Sequence, residues 1–140
     1  MRPLVSAHTD VGVITMLHFD NGKCASLQRA ADASNADPEN NEWVDINLPI
    51  PEEDDPIFVV NVGDCLSELT GGSLRSTLHR VMPRKCPTSS KEDAARTCLA
   101  LFVGLKPSAS LKLPSGEVIS YEKWRQQRIA HATAVIKGNQ

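Results

Sequence analysis

Long apolar runs are missing from this 140-residue sequence, and none approaches the roughly 20 residues that span a bilayer. The first residues also lack the apolar segment of a signal peptide. Lys and Arg form no basic stripe and the formal net charge is −2, so the sequence lacks the charge pattern that is typical of DNA- or RNA-binding proteins. We therefore expect a cytoplasmic protein that has neither a membrane nor nucleic acid as a partner.

Paired cysteines and phosphate loops are missing as well. The cysteines form no CxxC pair, which argues against a zinc or redox motif and favours reduced structural thiols; they are Cys24, Cys65, Cys86 and Cys98. The segment NVGD at 61–64 is not followed by the GK[ST] of a phosphate loop, so Gly63 and Asp64 are expected to form a turn between strands. No repeat or internal boundary is visible, and we expect residues 1–140 to form a single domain.

Short runs rich in β-branched residues fill the first three quarters of the chain and predict strands. Asn-Gly at 21–22 predicts a hairpin that joins the first two runs. The tail is helical in pattern, with Ser120 as the N-cap, Ile119 and Trp124 at the spacing of a hydrophobic staple, and an end near Gly138. The pattern predicts an all-β core, arranged as a sandwich, barrel or jelly roll, followed by a C-terminal α-helix.

One predicted strand carries two residues that could bind a metal ion. On a strand, His8 and Asp10 project from the same face and could reach a common point. A hydrogen-bonded pair, in which Asp10 orients His8, is an alternative interpretation of this spacing. His79 lies in another β-branched run, and two imidazoles with one carboxylate form the facial triad that non-haem Fe(II) requires. The three residues are therefore candidate metal ligands.

Five segments in the same order resemble the iron- and 2-oxoglutarate-dependent dioxygenases, in particular the isopenicillin N synthase-like group. They are AHTDVGVITML, GKCASLQ, EWVDI, VVNVGDCLSELTGGSLRSTLHRV and RTCLALFVGLKP, and the resemblance covers roughly residues 5–107. It implies a double-stranded β-helix, or jelly roll. The family's metal ligands carry over onto His8, Asp10 and His79. The resemblance further implies Fe(II), 2-oxoglutarate as co-substrate and ascorbate as a candidate reductant.

The co-substrate site departs from the family pattern at one position. The resemblance implies that Arg96 binds the distal carboxylate of 2-oxoglutarate, a role that suits the bidentate fork of a guanidinium. The family has a serine two positions later, where this chain has Cys98. A thiol is a weaker donor than a hydroxyl, which weakens one expected hydrogen bond. A surface ion pair between Arg96 and Glu92 or Asp93 is the alternative.

Only seven residues precede His8, so we expect this chain to lack the N-terminal region that the family usually carries. The resemblance implies that this region normally contributes to substrate binding. We expect an oxygenase that uses dioxygen to hydroxylate or desaturate a small molecule. Two alternatives stay open: an iron oxidase that needs no 2-oxoglutarate, and a truncated, non-catalytic metal-binding β-domain. An uncovered strand edge also makes a homodimer a candidate assembly.

Overall fold

Two larger antiparallel sheets, a two-stranded hairpin and two helices make up the part of the chain that the structure describes. The structure is a computed structural model and describes residues 2–19, 25–32, 34–35, 37–47, 56–83 and 97–138. The strands are β1 (Val5–His8), β2 (Ile14–Phe19), β3 (Ala25–Ala30), β4 (Trp43–Asp45), β5 (Phe58–Val62), β6 (His79–Pro83), β7 (Cys98–Val103), β8 (Ser110–Lys112) and β9 (Val118–Ser120). The helices are α1 (Asp64–Leu69) and α2 (Tyr121–Gly138). Among these described elements, neither helix is both long and apolar enough to cross a membrane.

The two main sheets face each other across a cavity. One sheet has the strand order β1-β6-β3-β4 and the other β5-β2-β7, with all pairings antiparallel. Alternate residues of the strands point inward, so Leu17 of β2 and Phe102 of β7 face Leu27 of β3 and Val81 of β6 across the space between the sheets. This arrangement is the predicted jelly roll, and the C-terminal helix is also confirmed.

The predicted hairpin at 21–22 is wrong in its topology. The turn itself lies outside the described residues, but the strands on either side of it, β2 and β3, belong to different sheets. β2 pairs with β5 and β7, whereas β3 pairs with β4 and β6. The connection therefore runs from one sheet of the jelly roll to the other.

Residues 63–64 do not form the simple turn that the sequence predicted. Gly63 is the N-cap of α1, and Asp64 is the first residue of that helix. A second element that the sequence analysis did not predict is the hairpin β8–β9, whose connection contains Gly116 at a φ of 87°. Only glycine adopts this left-handed backbone conformation without strain. Both elements are short, and both pack near the C-terminal helix.

A compact apolar cluster fixes the C-terminal helix to the rest of the chain. It consists of Cys65, Leu111, Ile119, Tyr121 and Trp124, and Trp124 is only 3% exposed. The predicted cap is confirmed, since the Ser120 hydroxyl accepts the N–H of Lys123 at 3.3 Å. Ile119 and Trp124 both lie in the cluster, as the predicted hydrophobic staple requires. The first turn of α2 is therefore held against α1 and the β8–β9 hairpin.

Candidate metal centre

The three predicted ligands converge at one end of the cavity. One ligand atom from each of His8, Asp10 and His79 lies within 4.8 Å of the other two. The Nε2 atom of His8 is 3.6 Å from Oδ1 of Asp10, and the Nε2 atom of His79 is 4.0 Å from Oδ2 of Asp10. His8 and His79 are directly opposite each other in the β1–β6 ladder, and their ring centroids are 4.3 Å apart. Strand pairing therefore brings the two histidines together.

The position of Asp10 differs from the sequence prediction. β1 ends at His8, so Asp10 is not on the same strand and does not meet His8 through strand alternation. Its position is instead fixed by hydrogen bonds from the start of α1. The N–H groups of Asp64 and Cys65 donate to the carbonyl oxygens of Asp10 and Gly12 at 2.7 and 3.0 Å. Unpaired N–H groups at a helix N-terminus are well suited to hold a turn in this way.

Gly63 is required for the close approach of the start of α1 to the Asp10–Gly12 segment. Its N–H donates to the Val13 carbonyl oxygen at 2.9 Å. A Cβ atom on Gly63 would collide with the carbonyl oxygen of Gly12 and approach that of Asp10 to 2.9 Å. Backbone is poorly able to move aside, so any side chain at this position would push the Asp10 segment away from the two histidines.

The two histidines are oriented by backbone carbonyl groups. Nδ1 of His8 lies 2.8 Å from the Ser6 carbonyl oxygen, and Nδ1 of His79 lies 2.9 Å from that of Thr77. A carbonyl can only accept a hydrogen bond, so in the neutral imidazoles Nδ1 carries the proton. The lone pair of each ring is then on Nε2, the atom that points towards Asp10. Metal-binding histidines are commonly fixed by a hydrogen bond of this kind.

Two donors orient the Asp10 carboxylate. Oδ2 of Asp10 accepts the Thr15 hydroxyl at 2.6 Å and the Asn61 side-chain amide at 2.9 Å. Thr15 and Asn61 are opposite each other on β2 and β5, so strand pairing delivers both donors to one oxygen. Burial acts to raise the pKa of Asp10, but these hydrogen bonds and the nearby His79 and His8 outweigh it, and the pKa is below its ordinary value. Asp10 is therefore an ionised, oriented carboxylate.

The donor set fits a non-haem Fe(II) ion. His8 and His79 present two imidazole nitrogens and Asp10 presents one carboxylate, which is the composition of a facial triad with positions open for other ligands. A cavity of about 340 Å³ adjoins all three residues and is otherwise lined mainly by apolar side chains. The residues that would hold the ion thus lie at the end of a largely apolar chamber.

The comparisons with known proteins identify the family. The profile of the 2OG-Fe(II) oxygenase superfamily matches residues 2–105. The chain belongs to the 2OG-Fe(II) oxygenase superfamily. The cofactors that the resemblance implied, Fe(II) and 2-oxoglutarate, are the ones after which this superfamily is named.

Relatives and solved structures of the 2OG-Fe(II) oxygenase superfamily are much longer than this chain. The 2-oxoglutarate-dependent dioxygenase ecdG of Aspergillus rugulosus is 32% identical over 79% of this chain and 29% of its own length. A homoarginine-6-hydroxylase of Arabidopsis thaliana is 34% identical over 69% of this chain and 23% of its own length. A full-length Neurospora crassa protein solved in complex with alpha-KG superimposes with a TM-score of 0.69 and 26% identity, over 92% of this chain and 38% of that one. The rice dioxygenase for auxin oxidation gives a TM-score of 0.65 at 25% identity, over 93% of this chain and 41% of that chain.

Of the two predicted co-substrate residues, the structure places one. Cys98, the first residue of β7, lines the same cavity as the three candidate ligands. This is the location that a residue contacting 2-oxoglutarate needs. Arg96 lies outside the described residues, so its role as the arginine that binds the 2-oxoglutarate carboxylate stays a prediction.

Arg80 and His18 lie away from the candidate ligand atoms. Arg80 faces away from the centre, since its Nε donates to Gln28 at 2.8 Å and its guanidinium lies 4.1 Å from the Trp43 ring centroid. His18 lies against the Ile57 carbonyl oxygen at 3.1 Å and does not line the ligand cavity. Sequence reasoning missed the two donors to Asp10. Asn61 in particular was considered only as part of the NVGD segment, where nothing local indicates its contact with Asp10.

Proposed function

We propose that this protein is a non-haem Fe(II)- and 2-oxoglutarate-dependent dioxygenase that hydroxylates or desaturates a small organic substrate. The supporting observation is the convergence of His8, Asp10 and His79, with each ring oriented so that Nε2 faces the carboxylate. Membership of the 2OG-Fe(II) oxygenase superfamily supports the same chemistry. The chain spans less than a third of the curated relatives cited above, so activity of this chain is a proposal.

Each part of the cavity has a distinct role in this proposal. Nε2 of His8, Nε2 of His79 and the Asp10 carboxylate would hold the ion, and Thr15 and Asn61 keep that carboxylate ionised and fixed in orientation. When bound, Fe(II) together with 2-oxoglutarate supplies the activation of dioxygen. The apolar side chains of the cavity keep water away from the reacting atoms; they include Leu17, Leu27 and Val81.

The side chain of Cys98 favours one alternative function. A thiol on the cavity wall offers the co-substrate carboxylate a weaker donor than the serine hydroxyl of the family pattern. An iron oxidase that uses the same three ligands without 2-oxoglutarate is the second candidate. In that enzyme Arg96 would bind a carboxylate of the substrate instead of the co-substrate.

A combined assay of oxygen uptake and succinate release separates these functions. The chain would be loaded with Fe(II) and supplied with 2-oxoglutarate and ascorbate, and compared with Asp10→Ala and with the matched control His18→Ala. We expect oxygen uptake with stoichiometric succinate in the wild type and the control, and neither in Asp10→Ala. Oxygen uptake that does not depend on 2-oxoglutarate would instead support the oxidase. Tight metal binding without any turnover would support a non-catalytic domain.

We also propose that the chain belongs to the isopenicillin N synthase-like group and that it forms a homodimer through β7. The collinear segments described above support the subgroup. Among the described strands, β7 lies at the edge of its sheet, and its Leu99 and Leu101 are 66% and 59% exposed. Exposed apolar edges favour pairing with another strand. Sedimentation of the wild type and of Leu101→Lys tests the dimer, which we expect only in the wild type; a wild-type monomer would contradict it.

A further inference from the structure

Asp64 connects three separate segments of the chain. It is 7% exposed and begins α1. Its backbone N–H donates to the Asp10 carbonyl oxygen at 2.7 Å. Its Oδ1 accepts the Ser76 hydroxyl at 2.5 Å, and its Oδ2 accepts Nη2 of Arg128 at 3.1 Å. One buried residue therefore contacts the Asp10 turn, the segment before β6 and the C-terminal helix.

Two of these contacts lead directly to metal ligands. The first joins the backbone of Asp64 to the backbone of Asp10 without any intervening residue. The second leads to His79, because Ser76 is adjacent to Thr77 and the Thr77 carbonyl oxygen accepts the His79 ring at 2.9 Å. A displacement of Asp64 would therefore move a ligand from each side of the centre.

The third contact leads to the C-terminal helix. The first turns of α2 are anchored by Tyr121 and Trp124 in the apolar cluster. The Arg128 guanidinium lies one turn further on, 5.9 Å from the Trp124 ring centroid, and forms the ion pair with Asp64. Packing of α2 thus sets the position of Arg128, and Arg128 in turn limits the positions open to the Asp64 carboxylate.

The ion pair is poorly placed to serve mainly as a source of global stability. The Arg128 side chain is 43% exposed, and pairs of this kind contribute little to the free energy of unfolding because solvent screens them. The same pair is well placed to orient Asp64, whose side chain is only 8% exposed and accepts two donors on two different oxygens. The main effect of the pair is therefore to orient the Asp64 carboxylate, which an ordinary surface ion pair does not do.

We propose that Asp64 and Arg128 are positioning residues that couple docking of the C-terminal helix to the geometry of the metal centre. The inference rests on the proposed function, since it concerns the affinity of the same centre. It makes the helix, which contributes no metal ligand in the proposed centre, a determinant of how tightly the ion is held. Changing a partner of a metal ligand commonly weakens binding 10- to 100-fold. Asp64 and Arg128 act one step further away, so we expect a loss of roughly 3- to 10-fold in affinity.

The test compares variants of the whole chain by calorimetric titration with Co(II), well below their melting temperatures. Arg128→Gln removes the charge, Arg128→Lys retains it, and Asp64→Asn keeps the shape but loses the ion pair. Lys123→Gln is the matched control, because Lys123 forms an exposed pair with Glu117 at 3.9 Å on the same helix. Hydrogen exchange of a peptide covering residues 8–13, measured without metal, gives a second readout.

We expect Arg128→Gln and Asp64→Asn to weaken Co(II) binding roughly 3- to 10-fold. We expect the Co(II) affinity of Arg128→Lys to stay within about twofold of wild type and that of Lys123→Gln to be unchanged. A double variant with both Arg128→Gln and Asp64→Asn should bind Co(II) no more weakly than the weaker-binding of the two single variants. Exchange in residues 8–13 should be faster in Arg128→Gln. If Arg128→Gln lowers the melting temperature but leaves Co(II) affinity and hydrogen exchange unchanged, the ion pair contributes only to stability and the inference is wrong. If the wild-type chain itself fails to bind Co(II), the proposed function fails and this inference fails with it. Should Asp64→Asn not fold, the two Arg128 variants decide the question.

Discussion

Replacing Thr15 with valine tests the structure around Asp10 without changing a ligand. Thr15 is 1% exposed, and its hydroxyl donates to Oδ2 of Asp10 at 2.6 Å. Valine has nearly the same shape, so the packing in the sheet is retained while one donor is lost. A hydrogen bond to a charged group contributes about 1.5 to 3 kcal/mol. We therefore expect Thr15→Val to lower the free energy of unfolding of the metal-free protein by about this amount at pH 7.

The loss should depend on pH in a defined direction. The folded-state pKa of Asp10 is below its ordinary value, despite the opposing effect of burial, because Thr15, Asn61 and the two histidines favour the carboxylate. A depressed folded-state pKa stabilises the protein above the unfolded-state pKa, and this stabilisation is lost as the pH falls through the folded-state value. In urea unfolding, the difference in free energy of unfolding between wild type and Thr15→Val should therefore narrow as the pH falls below about 4.

Thr70→Val is the matched control for this experiment. The Thr70 hydroxyl donates to the Leu66 carbonyl oxygen at 2.8 Å, which is a bond between uncharged groups. The same hydroxyl accepts the Leu74 N–H at 3.2 Å, so its loss should cost about 0.5 to 1.5 kcal/mol for each of these bonds and should not depend on pH. An unchanged stability of Thr15→Val at pH 7, or a loss that does not shrink as the pH falls well below about 4, would refute the described role of Thr15.

Three further predictions concern other parts of the chain. Arg96→Ala should raise the half-saturating concentration of 2-oxoglutarate at least tenfold while Co(II) affinity is retained, because a charge-assisted contact is lost; equal effects on both would contradict the assignment. Cys98→Ser should lower that concentration, since a hydroxyl is the stronger donor; no change would mean that residue 98 does not face the carboxylate. Burial, followed by the nearby Glu68, raises the pKa of the Cys65 thiol, so peptide mass spectrometry after brief alkylation at pH 8 should find Cys98 labelled and Cys65 unlabelled in the folded protein, and labelled Cys65 would contradict its burial.

The candidate ligands could be identified from the sequence, but the way they meet could not. His8, Asp10 and His79 were identified by residue type and by the order of the surrounding segments. Their meeting depends on the β1–β6 pairing, which places His8 opposite His79. Register between strands so far apart in the chain is set by tertiary packing, and no local pattern shows it.

The placement of Asp10 shows a second limit of local patterns. The sequence suggested strand alternation, yet β1 ends at His8 and the turn that follows is held by N–H groups of Asp64 and Cys65. α1 is only six residues long, too short to show the periodicity by which helices are recognised. In contrast, the cap and staple of α2 are local signals, and the predicted roles of Ser120 and Trp124 were both confirmed.

Metal titration of the three ligand variants tests the central claim most directly. Wild type, His8→Ala, Asp10→Ala, His79→Ala and the control His18→Ala would be titrated calorimetrically with Co(II) under the same conditions. The account predicts one ion per chain in wild type and in His18→Ala, and at least a tenfold loss of affinity in each of the other three, because each removes one ligand of a three-ligand centre. Unchanged affinity in His8→Ala, Asp10→Ala and His79→Ala would contradict it.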